Sequence, residues 1–491
     1  MTDAVVVGSG PNGLAAAMVL SGAGLSVAVV ESNDTLGGGA RTKEATLPGY
    51  LHDICSAVHP SIMLSPYFNA FDLASRGVEM LQPEVPYAQP MDGGRAGIAH
   101  RDLERTADGL GRDGRAWTSL MRPLVDGWRE LGDTFLSDMR TFPYARRAAT
   151  LPVSVAAGLR VLEQGSPLWN LRWREDLAPA LLSGVATHAI APARGLAPAG
   201  AAVFLASLAH SVGWPIPRGG TQVVVDAQVD ELRRRGVTFT TGHRVRSLGE
   251  LPRTRAVLLD TSPKDMQQIA GDLLPRWYRR LLSTYRHGDG VCKVDFALSG
   301  PVPWANEDCR RAGTLHVGGT RRELLEFELG VKRGEHSDRP YVLAVQPDVV
   351  DPTRAPAGGH TLWTYTHVPN GSTLDRSEAI TDQIERFAPG FRDLVLHRAV
   401  ATAAQEEAEH PNYVGGDISG GAVTPWQMIA RPVPTWDPYR TPVPGLYLCS
   451  SSTPPGPAVH GMNGVHAARR VLRQRFGIRQ EPLDFVRSAA A

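Results

Sequence analysis

The sequence predicts an α/β chain in which both ends of the polypeptide feed one parallel sheet and an α+β part is inserted between them. Three observations lead there. A β-branched run, Val5 to Val7, breaks into glycines, passes through a helical pattern and returns as "SVAVVES"; continuous rather than alternating apolar residues suit a central parallel strand covered on both faces. Near the other end, "PVPGLYLCSSSTPPG" reads as turn, short strand (446–449) and small-residue loop, and "NGVHAARRVLRQRF" as a helix. Between them, "VCKVDFALSG", "YVLAVQPDVV" and "HTLWTYTHV" alternate apolar and polar residues, the period of an antiparallel sheet with one solvated face.

Composition bounds the function. The 491 residues suffice for two to four domains at roughly 150 each. With 51 basic against 50 acidic side chains there is no net field to draw nucleic acid, and the clusters "ARR" (145–147) and "LRRRG" (232–236) read as solvated helix faces. Cys55, Cys292, Cys309 and Cys449 stand far apart without a CxxC, which argues against a zinc site or a redox disulfide and fits free thiols in a reducing cytoplasm. His360, His367 and His410 lack ligand spacing, so no metal is assigned. The first strand begins at about Ala4, leaving no room ahead of it for a signal peptide, so the mature protein is expected to start at Met1.

From Leu177 to Pro217 only Arg194 is charged. Pro192, Pro198, Gly195, Gly200 and Gly213 interrupt this stretch, and a span that must satisfy its own backbone rarely carries so many breakers. Buried helices around an apolar cavity are expected; a peripheral surface dipping into one membrane leaflet is the alternative.

The first turn carries Gly8, Gly10, Pro11, Asn12 and Gly13 at GxGxxG spacing. Gly8 permits the tight exit from the strand, Gly10 lets a pyrophosphate approach the backbone, and Gly13 lets helix and strand pack closely. The helix from about Asn12 aims its free N–H groups and positive end at the phosphates. Glu31, followed by Ser32, ends the second strand 31 − 13 = 18 residues past the last glycine, near the spacing for a carboxylate accepting from ribose hydroxyls. A Rossmann-like unit follows, and its dinucleotide is NAD or FAD.

Directly after Glu31 comes "SNDTLGGGARTKEATLPGY". Gly37, Gly38 and Gly39, then Ala40, Arg41 and Thr42, would let backbone amides and a guanidinium line a phosphate and a flavin edge. This stretch resembles the second fingerprint of FAD-dependent oxidoreductases of the glutathione reductase and amine oxidase type. The closing helix, starting near Gly461, Met462 and Asn463, can aim unpaired N–H groups at a flavin edge, stabilising negative charge there by about 0.3 to 1 kcal/mol. Residues 217–248 read as glycine turn, helix with Val224, Val225, Val229 and Leu232 inward, and strand; residues 256–263 read as another buried strand.

Together these segments resemble the phytoene desaturase and carotenoid isomerase branch of flavin oxidoreductases. The resemblance implies an FAD-binding domain from residues 1–75, 215–265 and 435–491, with the Val245 backbone meeting adenine and Ser451 beside the flavin. It implies a substrate-binding domain from 76–214, helical in flavour, and 266–434, a sheet floor under a helical lid. The terminal loop departs from the family's glycine-rich pattern in Ser450, Ser451, Pro455, Pro457 and His460, so the resemblance carries to the cofactor more than to the substrate.

The expected chemistry is hydride transfer from a C–C bond of an apolar, polyene or lipid-like substrate to flavin N5, as dehydrogenase, desaturase or isomerase. His59 in "SAVHPS" and His460 in "PAVHGMNG" are the candidate proton handlers, and Trp426 and Gln427 the candidate pocket walls. An amine oxidase of the same fold and a non-catalytic FAD-binding scaffold are the alternatives. No second dinucleotide loop follows residue 32, so electrons leave to oxygen, a quinone or a partner protein, or, in a redox-neutral isomerisation, need no external acceptor.

Overall fold

A computed structural model of the chain describes residues 2–138 and 144–487, and the side chains of all these but 144–147. The basic cluster at 145–147 lies outside the described side chains.

Five parallel strands run in the order Leu446–Leu448, Ala256–Leu259, Ala4–Val7, Val27–Val30, Thr238–Thr240. The continuous apolar run at Val5–Val7 is buried because this strand is central, with helices on both faces. Helix Pro11–Gly22 is buried along nearly its whole length. Helix Met462–Arg475 lies directly on it: a Cβ on Gly464 would collide with the carbonyl oxygen of Asn12, so only glycine allows the two backbones this close. The first and last segments of the chain thus form one body with helix Gln222–Arg234, whose Val224, Val225, Val229 and Leu232 face the sheet.

"LRRRG" is only partly a solvated face. Arg233 and Arg234 are exposed, but Arg235 is buried, pairing with Glu231 at 2.8 Å and donating to the Phe485 carbonyl at 2.9 Å. It ties this helix to the last one, Pro482–Arg487.

The second sheet has seven strands, in the order Val395–Ala401, Gly290–Leu298, His360–Val368, Val342–Val345, Ala312–Val317, Val85–Pro90, Ala96–Ala99. Two expectations are corrected here. The sheet is mixed, because Val85–Pro90 joins it parallel to Ala312–Val317 and brings in a hairpin from the segment read as helical. Neither face is solvated at its centre: strands Gly290–Leu298 and His360–Val368 are buried on both. One face packs Val294, Phe296, Leu298, Leu315, Val342 and Leu362 against Ile380, Ile384 and Phe387 of helix Ser377–Phe387. The other turns its alternate residues, among them Lys293, Asp295, Trp363, Tyr365 and His367, inward toward the parallel-sheet body. The polar positions of the alternation mark an interior, not a surface.

The nearly uncharged stretch forms helices Leu177–Ala186 and Leu196–Ser211. They pack with Tyr87, Trp117, Leu120 and Trp214 in a core of their own. Among the described residues, no helix is long and apolar enough to cross a membrane.

Candidate cofactor and active site

The first glycine loop has the backbone its spacing requires. Gly8 has φ +101°, and a Cβ there would lie 2.8 Å from the Asp260 carbonyl oxygen. At Gly13 a Cβ would collide with the Gly8 carbonyl, so helix Pro11–Gly22 can leave the strand this tightly only with glycine there. The N–H of Gly13, a first-turn donor, bonds to Asp260 Oδ2 at 2.9 Å, and a Cβ on Gly10 would come within 2.7 Å of that oxygen. Asp260 is absent from the candidates read from sequence. The available signal is its place just after Ala256–Leu259, since parallel strands side by side deliver their carboxyl ends to one edge.

Glu31 stands at the same edge, buried. Its Oε2 accepts from Ser9 N–H (2.9 Å) and Ser9 Oγ (2.7 Å), and its Oε1 from Ser32 Oγ (3.0 Å) and Asn33 N–H (2.9 Å). Burial alone would raise this carboxyl, yet the hydrogen bonds from Ser9, Asn33 and Ser32 outweigh it and hold it below the usual range. Glu31 therefore organises the glycine loop at the edge of the strands. A cleft of about 70 Å³ opens beside it, lined by Gly8, Gly10, Glu31, Ser32, Val245 and His410.

The second loop folds onto the first. Gly37 N–H donates to Ser9 Oγ at 3.0 Å, and Gly38, with φ +58°, comes so close that a Cβ would sit 3.1 Å from the Gly10 Cα. Ala40 is buried beneath. Arg41 turns back on its own loop, donating from Nε to the Gly38 carbonyl (2.7 Å) and from Nη1 to Thr35 Oγ1 (3.1 Å). Here it shapes the loop rather than reaching into the cleft. Thr42 Oγ1 donates to Asp53 Oδ1 at 2.6 Å and accepts from Gln222 N–H at 3.1 Å, joining this loop to the second glycine turn. A Cβ on Gly39 would strike the Tyr413 hydroxyl, which the inserted part supplies.

At the other end, Asn463 Nδ2 donates to the carbonyls of Thr453 (2.7 Å) and Ser450 (3.1 Å), which fixes the terminal loop against the closing helix. The Ser451 carbonyl accepts from buried Arg431 at 2.8 Å. Gly461 adopts φ +70° between Tyr67 and Ala15. The Met462 N–H is not unpaired: it donates to His460 Nδ1 at 3.1 Å, because that imidazole folds over the start of its own helix.

His59 and His460 flank helix Pro60–Leu64. His59 shares a hydrogen bond with Thr221 Oγ1 at 2.8 Å, and Ser65, at the helix end, donates to the His460 carbonyl at 2.5 Å. Burial pushes both imidazoles down to about 4, so both are neutral at pH 7. Trp426 is 69% exposed on helix Pro425–Ala430 and walls no pocket, whereas Gln427 holds the Arg286 and Ala422 backbone.

The inner sheet face contributes residues that spacing did not single out. Lys293 forms a buried ion pair with Asp295 and lies over the Trp363 ring, 5.7 Å from its centre. Burial pushes the Glu406 carboxyl up to about 7, with Lys293 opposing, and pushes the Cys55 thiol up to about 12. Asp53 and Arg354 pair at 2.5 Å in full burial.

The residues fit FAD. The cradle at Gly10 is closed to any Cβ, and His410, buried in the cleft, presents an Nδ1 without a partner among the described residues. Gly8, Gly10, Gly13 and Gly38 would hold the diphosphate, Glu31 and Val245 the adenosine, and the loop before Met462 the ring.

A family profile described as NAD(P)-binding Rossmann-like domain matches residues 6–76. The chain is 26% identical to pyridine nucleotide-disulfide oxidoreductase domain-containing protein 2 of Rattus norvegicus, covering 96% of this chain and 93% of that protein. It is 26% identical to phytoene dehydrogenase of Streptomyces griseus, over 87% and 83%. Among solved structures, an oxidoreductase from Methanosarcina mazei aligns with TM-score 0.60 and 15% identity over 96% of this chain and all of the other. A putrescine oxidase variant aligns with TM-score 0.59 and 18% identity, over 97% and 98%. A chain that opens on a Rossmann-like nucleotide unit and is similar almost from end to end to proteins named as oxidoreductases is an FAD-dependent oxidoreductase, similar in sequence to phytoene dehydrogenase and in fold to putrescine oxidase.

Proposed function

We propose that this oxidoreductase removes hydrogen from, or isomerises, a C–C bond of a largely apolar, polyene or lipid-like substrate. The observation that carries the reading is the apolar make-up of the inner sheet face, where Val291, Leu343, Val345, Trp363 and Tyr365 pack with Ala57, Ile190 and Ile216. Side chains of this kind bind an apolar partner by excluding water. The relative named phytoene dehydrogenase supports the same class. FAD, when bound, supplies the hydride acceptor.

The protein's own task is then to orient the carbon, keep water out and move one proton. His59 and His460 are neutral hydrogen-bonding groups that position helix Pro60–Leu64 and the terminal loop. Glu406, with its carboxyl near 7, holds or releases a proton around neutral pH. Electrons leave to oxygen, a quinone or a protein. Trp426, Ile429 and Trp436, exposed at 69%, 76% and 83%, offer apolar side chains for peripheral contact with a lipid surface that holds such substrates.

The second reading is amine oxidation. It is favoured by Trp363 and Tyr365, packed edge to face at 5.3 Å on the inner face beside Lys293. Anaerobic reduction separates the two readings. Bleaching of the flavin bands by a carotenoid or fatty acyl compound, and not by amines, is expected; bleaching by amines alone overturns the first reading in favour of the second.

A further inference from the structure

The diphosphate seat of this chain already holds an anion of its own. Strand Ala256–Leu259 lies beside Ala4–Val7, so Asp260 arrives at the edge where the glycine turn begins. Its Oδ2 takes the Gly13 N–H at 2.9 Å, and that oxygen is the first atom a Cβ on Gly10 would meet, at 2.7 Å. Gly10 is the position that lets a diphosphate reach the backbone at the helix N-terminus. The Asp260 side chain therefore stands in the positive end of helix Pro11–Gly22, 7% exposed, where a phosphate would lie. Its backbone is pinned, with N–H donating to the Val7 carbonyl at 2.7 Å and carbonyl accepting from Asn412 Nδ2 at 2.9 Å. Only the side chain is left to adjust.

The groups facing it supply no balancing charge. Glu31 ends the next strand but one as a carboxylate. His410, from the inserted part, is kept neutral by burial, which pushes it down to about 4. Arg41 is held by the Gly38 carbonyl and Thr35. On the rim, Arg244 is paired with Asp265 at 3.2 Å. The Cys449 thiol, from the strand on the far side, is raised by burial and stays protonated. Among the described residues, no cation pairs with Asp260. Burial pushes its carboxyl up to about 7, the Glu31 charge adding to the rise and the Gly13 hydrogen bond opposing it.

We propose that Asp260 gates the diphosphate seat by a single proton: neutral, it donates to a phosphate oxygen and admits FAD; ionised, it keeps the Gly13 amide for itself and repels the cofactor. Loading then takes up one proton from solvent and forms or breaks no covalent bond. The inference rests on FAD occupying this loop and concerns uptake, not turnover.

The test uses the full-length chain freed of flavin and titrated with FAD from pH 6 to 9, following quenching of flavin fluorescence and binding heats in two buffers of different ionisation enthalpy. The dissociation constant is expected to rise about tenfold per pH unit above the Asp260 value, with about one proton taken up per FAD. Asp260→Asn should bind with a flat pH profile and no buffer dependence, while His410→Asn keeps the slope. A flat profile in the unmodified protein, a slope surviving in Asp260→Asn, or failure to bind FAD at any pH overturns the proposal. Where Asp260→Asn does not fold, the proton count on the unmodified chain decides alone: near one supports the gate, zero removes it.

Discussion

Arg354 and Asp53, 301 positions apart, form an ion pair of 2.5 Å in which both side chains are completely buried. Asp53 Oδ1 also accepts from Thr221 N–H (2.8 Å) and Thr42 Oγ1 (2.6 Å), so one carboxylate joins the inserted part to both glycine-bearing segments. Arg354→Met leaves that charge buried and unpaired, and should cost about 3–5 kcal/mol in denaturant unfolding. Burial alone would raise the Asp53 carboxyl, but Arg354 and the hydrogen bonds hold it below its ordinary 3.8. Its contribution is thus full above that value and is lost as pH falls through the lower folded value, so this pair adds to acid unfolding only below pH 3.8, and acid unfolding should start higher in the variant.

Gly10→Val places a Cβ 2.7 Å from Asp260 Oδ2 and fills the cradle. Overpacking of this kind costs about 1–3 kcal/mol, which, carried into binding, converts to about a five- to 150-fold loss of FAD affinity. The flavin-to-protein absorbance ratio after purification measures it, with circular dichroism to show that the fold persists. Stoichiometric flavin in the variant would remove the loop from the cofactor site.

The rate of anaerobic flavin reduction by substrate should fall with acid through about pH 7, as Glu406 gains the proton it must lack to accept another. Glu406→Gln should flatten the profile. His59→Gln and His460→Gln should retain the inflection and lose flavin or stability instead, since both imidazoles are neutral over this range. An inflection that disappears with either histidine would return the proton to that residue.

Replacing Trp426, Ile429 and Trp436 together by serine removes exposed apolar surface without touching a buried side chain. Co-sedimentation with liposomes should fall severalfold while flavin content is unchanged. Equal sedimentation of the two proteins would place any lipid contact elsewhere.

Local spacing conveyed what local geometry enforces. Gly8 and Gly13 are readable because their conformations and close approaches arise within one turn, and Val5–Val7 because a central strand leaves no face for a polar residue. Asp260 was not readable as a site residue: its closeness to Gly13 depends on which strand neighbours the first, and 247 residues separate them. The alternation in 290–298 and 360–368 gave the strands and the wrong environment, since period two separates two faces without telling solvent from an enclosed site. Arg41 and Met462 lost their assigned partners to nearer ones, the Gly38 carbonyl and the His460 imidazole, which spacing cannot weigh.

The backbone contact between Gly464 and Asn12 has a bearing on how the enzyme is made. A growing polypeptide still on the ribosome exposes its first helix until residues 462–475 have emerged to cover it. Packing of the first helix therefore waits until that segment has left the ribosome, and a chain truncated before it would keep the first helix uncovered.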